Sequence, residues 1–213
     1  FCRSRGIPVG LFYRDAHWLS SEFERLRKGL YGRVATRLHR FDLKQYETAA
    51  DVMFVPSDAF GAFLEQRGVS SLKKIPLPSG CLPRRGRRLD QRVFLPESQL
   101  NFVYVGGISY GEGYDLSNFI SGVSRAEGVH LDLCVRDYEW ANVGRYYEPL
   151  MCDTIKIHHA SGDDLENLYA GADIGILVYQ PTPYRSLSMP VKLFEYLGEG
   201  LPVLTLRDTA AGD

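Results

Sequence analysis

Hydrophobic and polar residues alternate along this chain in blocks, with short apolar runs separated by longer amphipathic stretches. Apolar runs of strand length between polar turns are typical of buried strands, whereas apolar positions repeating every three or four residues are typical of helices. We therefore predict strands at 7–13, 51–55, 74–77, 101–105, 131–135, 154–157, 174–179 and 201–206. The predicted helices cover 20–50 (with a break near 29–32), 57–68, 115–127, 162–171 and 190–197.

The order of these elements predicts an α/β fold with two doubly wound, parallel-sheet domains of Rossmann type. The stretch 77–96 is rich in Pro, Gly and Arg and lacks apolar periodicity, so the domain boundary is placed there. We assign 1–85 to the first domain, 86–98 to a linker and 99–213 to the second domain. Because few strands precede the linker and Phe1 opens the chain without methionine, we expect a piece of a longer protein with an incomplete first domain.

The charge balance of the chain argues against nucleic acid as a partner, since 25 Lys and Arg residues stand against 26 Asp and Glu residues. The one basic cluster is either a solvated linker between the domains or a contact for anionic lipid or for the acceptor. It consists of Arg84, Arg85, Arg87, Arg88 and Arg92. No apolar run approaches the roughly 18 residues that a membrane span needs.

The cysteines are scattered and form no Cys-x-x-Cys pair, which predicts a reducing compartment and no zinc site. They are Cys2, Cys81, Cys134 and Cys152. Cys134 lies in an apolar strand pattern and is expected to be a small core residue. The sequence also lacks an Asp-x-Asp motif, so no metal is expected.

A lysine lies in the first turn of the last predicted helix, where Ser188 or Met189 can cap the helix and Pro190 suits a position whose N–H lacks a partner. A cation at the positive end of a helix is unfavourable by up to about 1 kcal/mol. The position of Lys192 is explained if an anion binds there, because helix N-termini offer free N–H groups to phosphate. Glu195 lies on the same face. The pair predicts a nucleotide-sugar site, with Lys192 on phosphate and Glu195 on the ribose hydroxyls.

A glycine-rich turn follows the strand predicted at 101–105. Gly106 and Gly107 allow backbone N–H groups to approach a diphosphate without side-chain obstruction. The alternative is a tight strand-to-helix turn with no ligand. Neither a Gly-x-Gly-x-x-Gly fingerprint nor a Walker A lysine is present.

Further polar residues follow two other predicted strands. Arg136 can bind a phosphate in a bidentate manner, or alternatively form a surface ion pair with Asp137 or Glu139. His158 and His159 end another strand, and we expect at least one of them to pack or face solvent rather than bind a ligand.

A cluster of Arg14, Asp15, His17 and Trp18 follows the first predicted strand directly. Ligands of open α/β folds gather at the carboxyl ends of strands, which favours a functional role for this cluster. Trp18 can stack on a sugar ring. The alternative is a loop held by an Arg14–Asp15 network around a buried Trp18.

The segment around Lys192 resembles a known motif. The stretch 190–203 is similar to the donor-binding motif of the retaining glycosyltransferases with two Rossmann domains, the GT-B architecture of the family called glycosyl transferases group 1. The family pattern, Pro-x-Lys-x-x-Glu-Tyr followed by Gly-x-Pro-Val, is matched by Pro190, Lys192, Glu195, Tyr196, Gly200, Pro202 and Val203. The turn at 104–108 resembles the opening of the family's second domain, and 134–140 resembles a variant found in some members.

The resemblance implies donor-binding residues in the second half of the chain: Gly106, Gly107, Arg136, Ser188, Lys192 and Glu195. It also implies that Asp15 and His17 take part in catalysis and that Arg14 and Trp18 bind the acceptor.

The sequence departs from the family pattern at two places. Leu187 stands where many relatives carry a further glutamate, and Ser186 and Ser188 are the candidates to substitute for it. The stretch 112–115 lacks the Arg and Lys with which relatives bind the diphosphate. Arg136 and Lys192 would then neutralise the diphosphate.

The implied function is transfer of a sugar from a nucleotide-diphosphate donor to a glycan or lipid-linked acceptor, with retention at the anomeric carbon and without a metal cofactor. The donor would lie against the second domain and the acceptor against the first, in the cleft between them. By analogy, we expect a role in cell-surface polysaccharide synthesis, in the cytoplasm, with peripheral contact at the inner face of a membrane. The alternatives are a non-catalytic nucleotide-sugar-binding subunit of an active transferase and an epimerase with paired Rossmann domains.

Overall fold

A computed structural model describes residues 1–21, 29–81, 99–111 and 113–212. The chain divides into two compact units, the first formed by Phe1–Ser79 with Pro183–Met189 and the second by Gly80–Thr182 with Pro190–Asp213. The predicted linker at 86–98 and the basic cluster at 84–92 lie outside the described residues. Within the described ranges, no helix is both long and apolar enough to cross a membrane.

The first unit contains a three-stranded parallel sheet in the order β1-β2-β3. Its strands are β1 (Gly10–Phe12), β2 (Val52–Val55) and β3 (Lys73–Pro76), and its helices are α1 (Leu30–Ala49) and α2 (Asp58–Gln66). Ser57 caps α2 by accepting the N–H of Phe60 at 3.1 Å. A single hydrophobic cluster surrounds β2, and Tyr184 and Leu187 from the returning segment pack against it.

The second unit contains a five-stranded parallel sheet in the order β6-β5-β4-β7-β8. Its strands are β4 (Leu100–Gly106), β5 (Val129–Val135), β6 (Ile155–His158), β7 (Ile174–Leu177) and β8 (Val203–Thr205). Its helices are α3 (Ser117–Val123), α4 (Asp137–Tyr147), α5 (Asp164–Gly171) and α6 (Val191–Gly198).

Both faces of this second sheet are buried. Tyr104 packs in one hydrophobic cluster with residues of α3 and α4, whereas Val103 and Val105 pack in another cluster with residues of α5 and α6. Successive side chains of a strand point to opposite faces, so β4 has to be apolar at nearly every position. This explains the unbroken apolar runs in the sequence, and it confirms the predicted α/β fold with parallel sheets.

One helix differs from the sequence prediction. No helix was predicted directly after the strand at 131–135, but α4 follows β5 there. Acidic side chains in its first turn, Asp137 and Glu139, are favourable at the positive end of the helix. Trp140, Val143 and Tyr147 pack onto the sheet with a spacing of three and four residues. Interspersed exposed tyrosines dilute this signal in the sequence.

The two ends of α6 are capped in different ways. Gly200 has a φ of +70°, and the N–H groups of Gly200 and Leu201 donate to Leu197 at 3.0 Å and Tyr196 at 2.9 Å. This is a Schellman ending, which favours glycine at the left-handed position. At the other end the prediction of a Ser188 or Met189 cap is wrong, because Pro190 occupies the cap position and no side chain caps the helix.

Candidate functional site

A cavity of about 280 Å³ lies at the carboxyl edge of the five-stranded sheet. Its lining comes from the ends of β4, β5 and β6 and from α6: Val105, Gly106, Cys134, Val135, Arg136, His159, Ala160, Ser161 and Lys192. The strand order changes direction beside β4, which is where ligands bind in doubly wound sheets. The fold therefore brings together three of the predicted donor-binding residues, Gly106, Arg136 and Lys192.

The turn after β4 approaches Tyr104 closely. The hydroxyl of Tyr104 donates to the carbonyl of Gly107 at 2.7 Å. A Cβ atom on Gly106 would lie 2.8 Å from that hydroxyl oxygen, so a side chain at this position would force the turn away from the strand. Burial raises the pKa of Tyr104, which keeps the hydroxyl neutral and able to donate. Gly106 is thus required for the shape of the cavity wall.

Arg136 occupies the N-cap position of α4 and forms an ion pair with Glu139 in the first turn of the helix. The other carboxylate oxygen of Glu139 accepts the N–H of Ile108 at 3.1 Å, so this side chain joins Arg136 to the turn after β4. The hydrogen bond to Glu139 raises the pKa of Arg136. Arg136 therefore lines the cavity as a charged group that already has a carboxylate partner. The sequence indicates Glu139 only as a surface partner of Arg136, because its contact with Ile108 depends on the fold.

Lys192 and Glu195 form a direct ion pair on the face of α6 that meets α5. The hydroxyl of Tyr169 donates to the same carboxylate at 3.0 Å and lies 3.4 Å from the lysine amine. Burial and the charge of Glu195 raise the pKa of Tyr169, so it stays a neutral donor. This geometry corrects one argument from the sequence. The carboxylate of Glu195 already offsets the unfavourable position of Lys192, so an external anion is not needed to explain it.

The two adjacent histidines have different surroundings. His158 lies 2.7 Å from a carboxylate oxygen of Asp132 through Nε2. His159 lines the cavity, and its Nδ1 is 2.8 Å from the carbonyl oxygen of Val135. Since a carbonyl only accepts hydrogen bonds, Nδ1 carries the proton and Nε2 lies toward Asp137, 3.7 Å away. His159 is therefore a third basic side chain of the cavity. Its position directly after β6 is the feature of the sequence that could have indicated this.

The thiol of Cys134 lines the same cavity and lies 3.5 Å from the carbonyl oxygen of Ala160. Burial raises its pKa, so the thiol is protonated near neutral pH. In agreement with the sequence prediction, Cys134 is a small, buried core residue.

In the first unit, Asp15 accepts several hydrogen bonds after β1. Its carboxylate accepts the backbone N–H of His17 at 3.0 Å and the hydroxyl of Tyr184, and the ring Nδ1 of His17 lies 3.3 Å away. Tyr184 also accepts the N–H of Ala16 at 2.7 Å. Burial acts to raise the pKa of Asp15, but these hydrogen bonds outweigh it and the pKa is lowered. Tyr184 was not predicted as a site residue, because the contact joins distant parts of the sequence.

The other two candidates of the first unit differ in exposure. The side chain of Arg14 is exposed, whereas Trp18 is only 6% exposed. One face of the Trp18 ring stacks on His39 at 5.4 Å, and its N–H donates to the hydroxyl of Tyr13 at 3.2 Å. Trp18 is therefore mostly buried, but it lines a cavity of about 350 Å³ in the first unit, and its stacking on a sugar ring stays a prediction.

The remaining candidates do not line the described cavity. Gly107 lies in the turn beside it, and Glu195 lies behind Lys192. Ser188 belongs to the segment that packs with the first unit, where its N–H donates to the carbonyl of Arg185 at 3.0 Å. Across the described ranges, no three His, Cys, Asp or Glu side chains cluster as a metal site would require.

Comparison with known proteins gives likenesses in structure alone. No family model and no curated sequence matches the chain. Sucrose-phosphate synthase from Thermosynechococcus elongatus is similar over 95% of this chain and 52% of its own, with a TM-score of 0.61 and 16% identity. Anabaena HepE, solved in complex with UDP and glucose, is similar over 99% of this chain and 55% of its own, with a TM-score of 0.60 and 12% identity. The lipopolysaccharide outer core galactosyltransferase WaaB is similar over 74% of this chain and 43% of its own, with a TM-score of 0.57 and 14% identity.

These likenesses concern the fold. The chain spans about half the length of the structures that it matches. It shares with these GT-B glycosyltransferases the parallel α/β units of Rossmann type that the sequence predicted.

Proposed function

We propose that this chain belongs to a glycosyltransferase that moves a sugar from a nucleotide-diphosphate donor to an acceptor hydroxyl, with retention at the anomeric carbon. The observation that carries the proposal is the cavity at the carboxyl edge of the second sheet, where Arg136, His159 and Lys192 meet the glycine turn after β4. Anionic ligands favour such a site, because three basic side chains line it. The structural likeness to HepE, a complex with UDP and glucose, supports the same ligand class.

In the proposed reaction the bond between the anomeric carbon and the diphosphate oxygen breaks, and the electron pair leaves with the diphosphate. The acceptor hydroxyl forms the new bond and releases its proton. Arg136 and Lys192 stabilise the charge that develops on the leaving diphosphate, which is the kind of electrostatic assistance that lowers such barriers most. We assign this role to the two side chains rather than to a metal ion. Glu195 is assigned to the ribose hydroxyls.

The first unit supplies the acceptor-side groups in this proposal. Asp15 is a charged carboxylate within reach of His17, so the pair can accept a proton from a hydroxyl. Arg14, exposed beside them, is assigned to the acceptor. We also assign Ser188, in the segment that follows Tyr184, to donor binding.

We further propose a glycan or lipid-linked acceptor, and a role in cell-surface polysaccharide synthesis at the cytoplasmic face of a membrane. The resemblance of the motif at 190–203 to the donor-binding motif of these transferases supports this acceptor class by analogy.

Calorimetric titration with a panel of nucleoside diphosphates and the matching nucleosides tests the donor site. Lys192→Ala is expected to weaken diphosphate binding about 10- to 100-fold, the range for loss of a hydrogen bond to a charged group, and to change nucleoside binding little. The control is Lys156→Ala, an exposed lysine on β6 of the same unit. Equal losses for nucleoside and diphosphate would contradict the phosphate role of Lys192.

Release of free sugar or transfer to an acceptor, measured with the donor that binds most tightly, tests catalysis. The alternative of a non-catalytic binding subunit is favoured by Leu187, because relatives carry a glutamate at this position. Tight donor binding without turnover, with and without EDTA, would favour that alternative. Turnover abolished by EDTA and restored by a divalent ion would overturn the assignment of the charge to Arg136 and Lys192.

A further inference from the structure

One exposed surface of the first unit is unusual for a folded chain. Helix α1 carries large apolar side chains on its outer face: Leu30 (81% exposed), Val34 (49%), Leu38 (58%) and Phe41 (61%). Their spacing of four, four and three residues places them in one stripe along the helix. The stripe spans roughly 17 Å at about 1.5 Å per residue. Tyr31, 88% exposed, lies beside its start.

A row of basic side chains runs next to this stripe. Arg33, Arg37 and Arg40 each precede a stripe residue by one position, and Lys44 continues the row. All four side chains are exposed. Neighbouring residues of a helix are about 100° apart, so the basic row flanks the apolar stripe along one side. Arg40 and Lys44 also line a cavity of about 350 Å³ beside the helix.

The opposite face of α1 holds the helix on the unit. Leu43 is buried in the hydrophobic cluster around β2, and Gly32 is buried as well. His39 stacks on Trp18. The stripe therefore points away from the core to which α1 is attached, and no described residue range buries it.

We propose that this face of α1, the apolar stripe with its basic row, binds the surface of an anionic phospholipid bilayer. A helix with aromatic and aliphatic side chains on one face and arginines beside them lies flat in the lipid interface, with the apolar side chains among the acyl chains and the basic groups on the phosphates. The charge complementarity selects this partner over a neutral surface, because each basic residue near an anionic leaflet contributes attraction. The proposal does not depend on the nucleotide cavity of the second unit.

Co-sedimentation with lipid vesicles tests the proposal on the chain without nucleotide. Binding is expected to vesicles that contain phosphatidylglycerol, to weaken as salt rises, and to be much weaker with phosphatidylcholine alone. Replacing Arg33 and Arg37 by Gln is expected to weaken binding about 25-fold, at about fivefold for each charge. Replacing Leu38 and Phe41 by Gln is expected to weaken it about 100-fold, at roughly tenfold for each side chain.

Matched control variants lie on the same unit outside the helix. Leu77→Gln changes another exposed leucine, and Lys73→Gln changes another exposed basic residue. Both are expected to keep full vesicle binding. Circular dichroism checks that each variant is folded. Leu38→Trp provides a direct probe, since its fluorescence is expected to shift to the blue when anionic vesicles are added.

Three results would overturn the proposal. The first is equal binding to neutral and anionic vesicles, and the second is no binding to either. The third is a dimer in analytical ultracentrifugation that the Leu38 and Phe41 substitutions dissociate, which would make the stripe an interface between two copies of the chain.

Discussion

The two units differ in how completely hydrophobic side chains cover their parallel sheets. In the second unit, two hydrophobic clusters cover the two faces of five strands, and most of the large apolar side chains left exposed are tyrosines. In the first unit, one cluster surrounds three strands, and leucine, valine and phenylalanine side chains stay exposed on α1. A tyrosine keeps its hydroxyl in water, whereas an exposed aliphatic stripe gains free energy from leaving water. The comparison indicates that the second unit has a closed two-sided core, whereas the first leaves an apolar outer surface on α1.

The largest effect is expected where the second unit is packed most tightly. A Cβ atom on Gly175 would lie 2.5 Å from the ring of Tyr196, which is fully buried and accepts the N–H of Val105 at 2.9 Å. Gly175→Ala is therefore expected to lower the free energy of unfolding by about 3 kcal/mol, the upper end of overpacking costs. Urea denaturation followed by Trp140 fluorescence measures it.

The control for this prediction is Gly122→Ala in α3. No atom lies within 4 Å of a Cβ at Gly122, so the added methyl group has room. Alanine is the better helix former, and a gain of up to about 1 kcal/mol is expected. Equal stability of the two variants would show that the backbone around Gly175 relaxes and that the second core is looser than described.

A smaller effect is expected at Ser57 in the first unit. This hydroxyl caps α2 and donates to the carbonyl of Leu187 at 2.9 Å, so it holds both the helix and the returning segment. Ser57→Ala is expected to cost about 1–2 kcal/mol, mostly for the lost cap. Trp18 fluorescence reports this change, and Ser70→Ala, an exposed serine of the same unit, serves as the control. A loss at Ser70 as large as that at Ser57 would remove the cap as the explanation.

The smallest effect is expected for the loss of stability in acid that arises from Asp15. The pKa of Asp15 is lower in the folded chain than in the unfolded chain, so the unfolded state binds more protons in acid. The stability from Asp15 is complete above the ordinary carboxyl pKa of about 4 and is lost as the pH falls through the lowered value. Tyr184→Phe removes one hydrogen bond to this carboxylate and is expected to raise its pKa. NMR titration of the Asp15 carboxyl carbon measures the shift, and an unchanged pKa would contradict the role of Tyr184.

Much of the fold could be predicted because the strands of the second unit are buried on both faces and leave unbroken apolar runs. The first strand is shorter than predicted: the apolar run covered 7–13, but only Gly10–Phe12 pairs with β2. The helix α4 was missed because Tyr138 and Tyr146 are exposed and blur the spacing of Trp140 and Tyr147.

The candidate site was predictable only in part. Gly106, Arg136 and Lys192 stand directly after strands or at a helix start, where position in the sequence indicates position in the fold. Glu139 and Tyr184 could not be found in the same way. Each owes its role to a partner on another element, Ile108 for Glu139 and Asp15 for Tyr184, and no local pattern encodes such a pairing.

The two ion pairs of the cavity have a consequence for ligand exchange. Arg136 pairs with Glu139 and Lys192 pairs with Glu195, so under the proposed function a diphosphate would have to substitute for these carboxylates. Few mobile counter-ions are displaced in such an exchange, and the affinity is expected to vary only weakly with ionic strength. In the proposed reaction, the same two carboxylates would pair with Arg136 and Lys192 again once the diphosphate leaves.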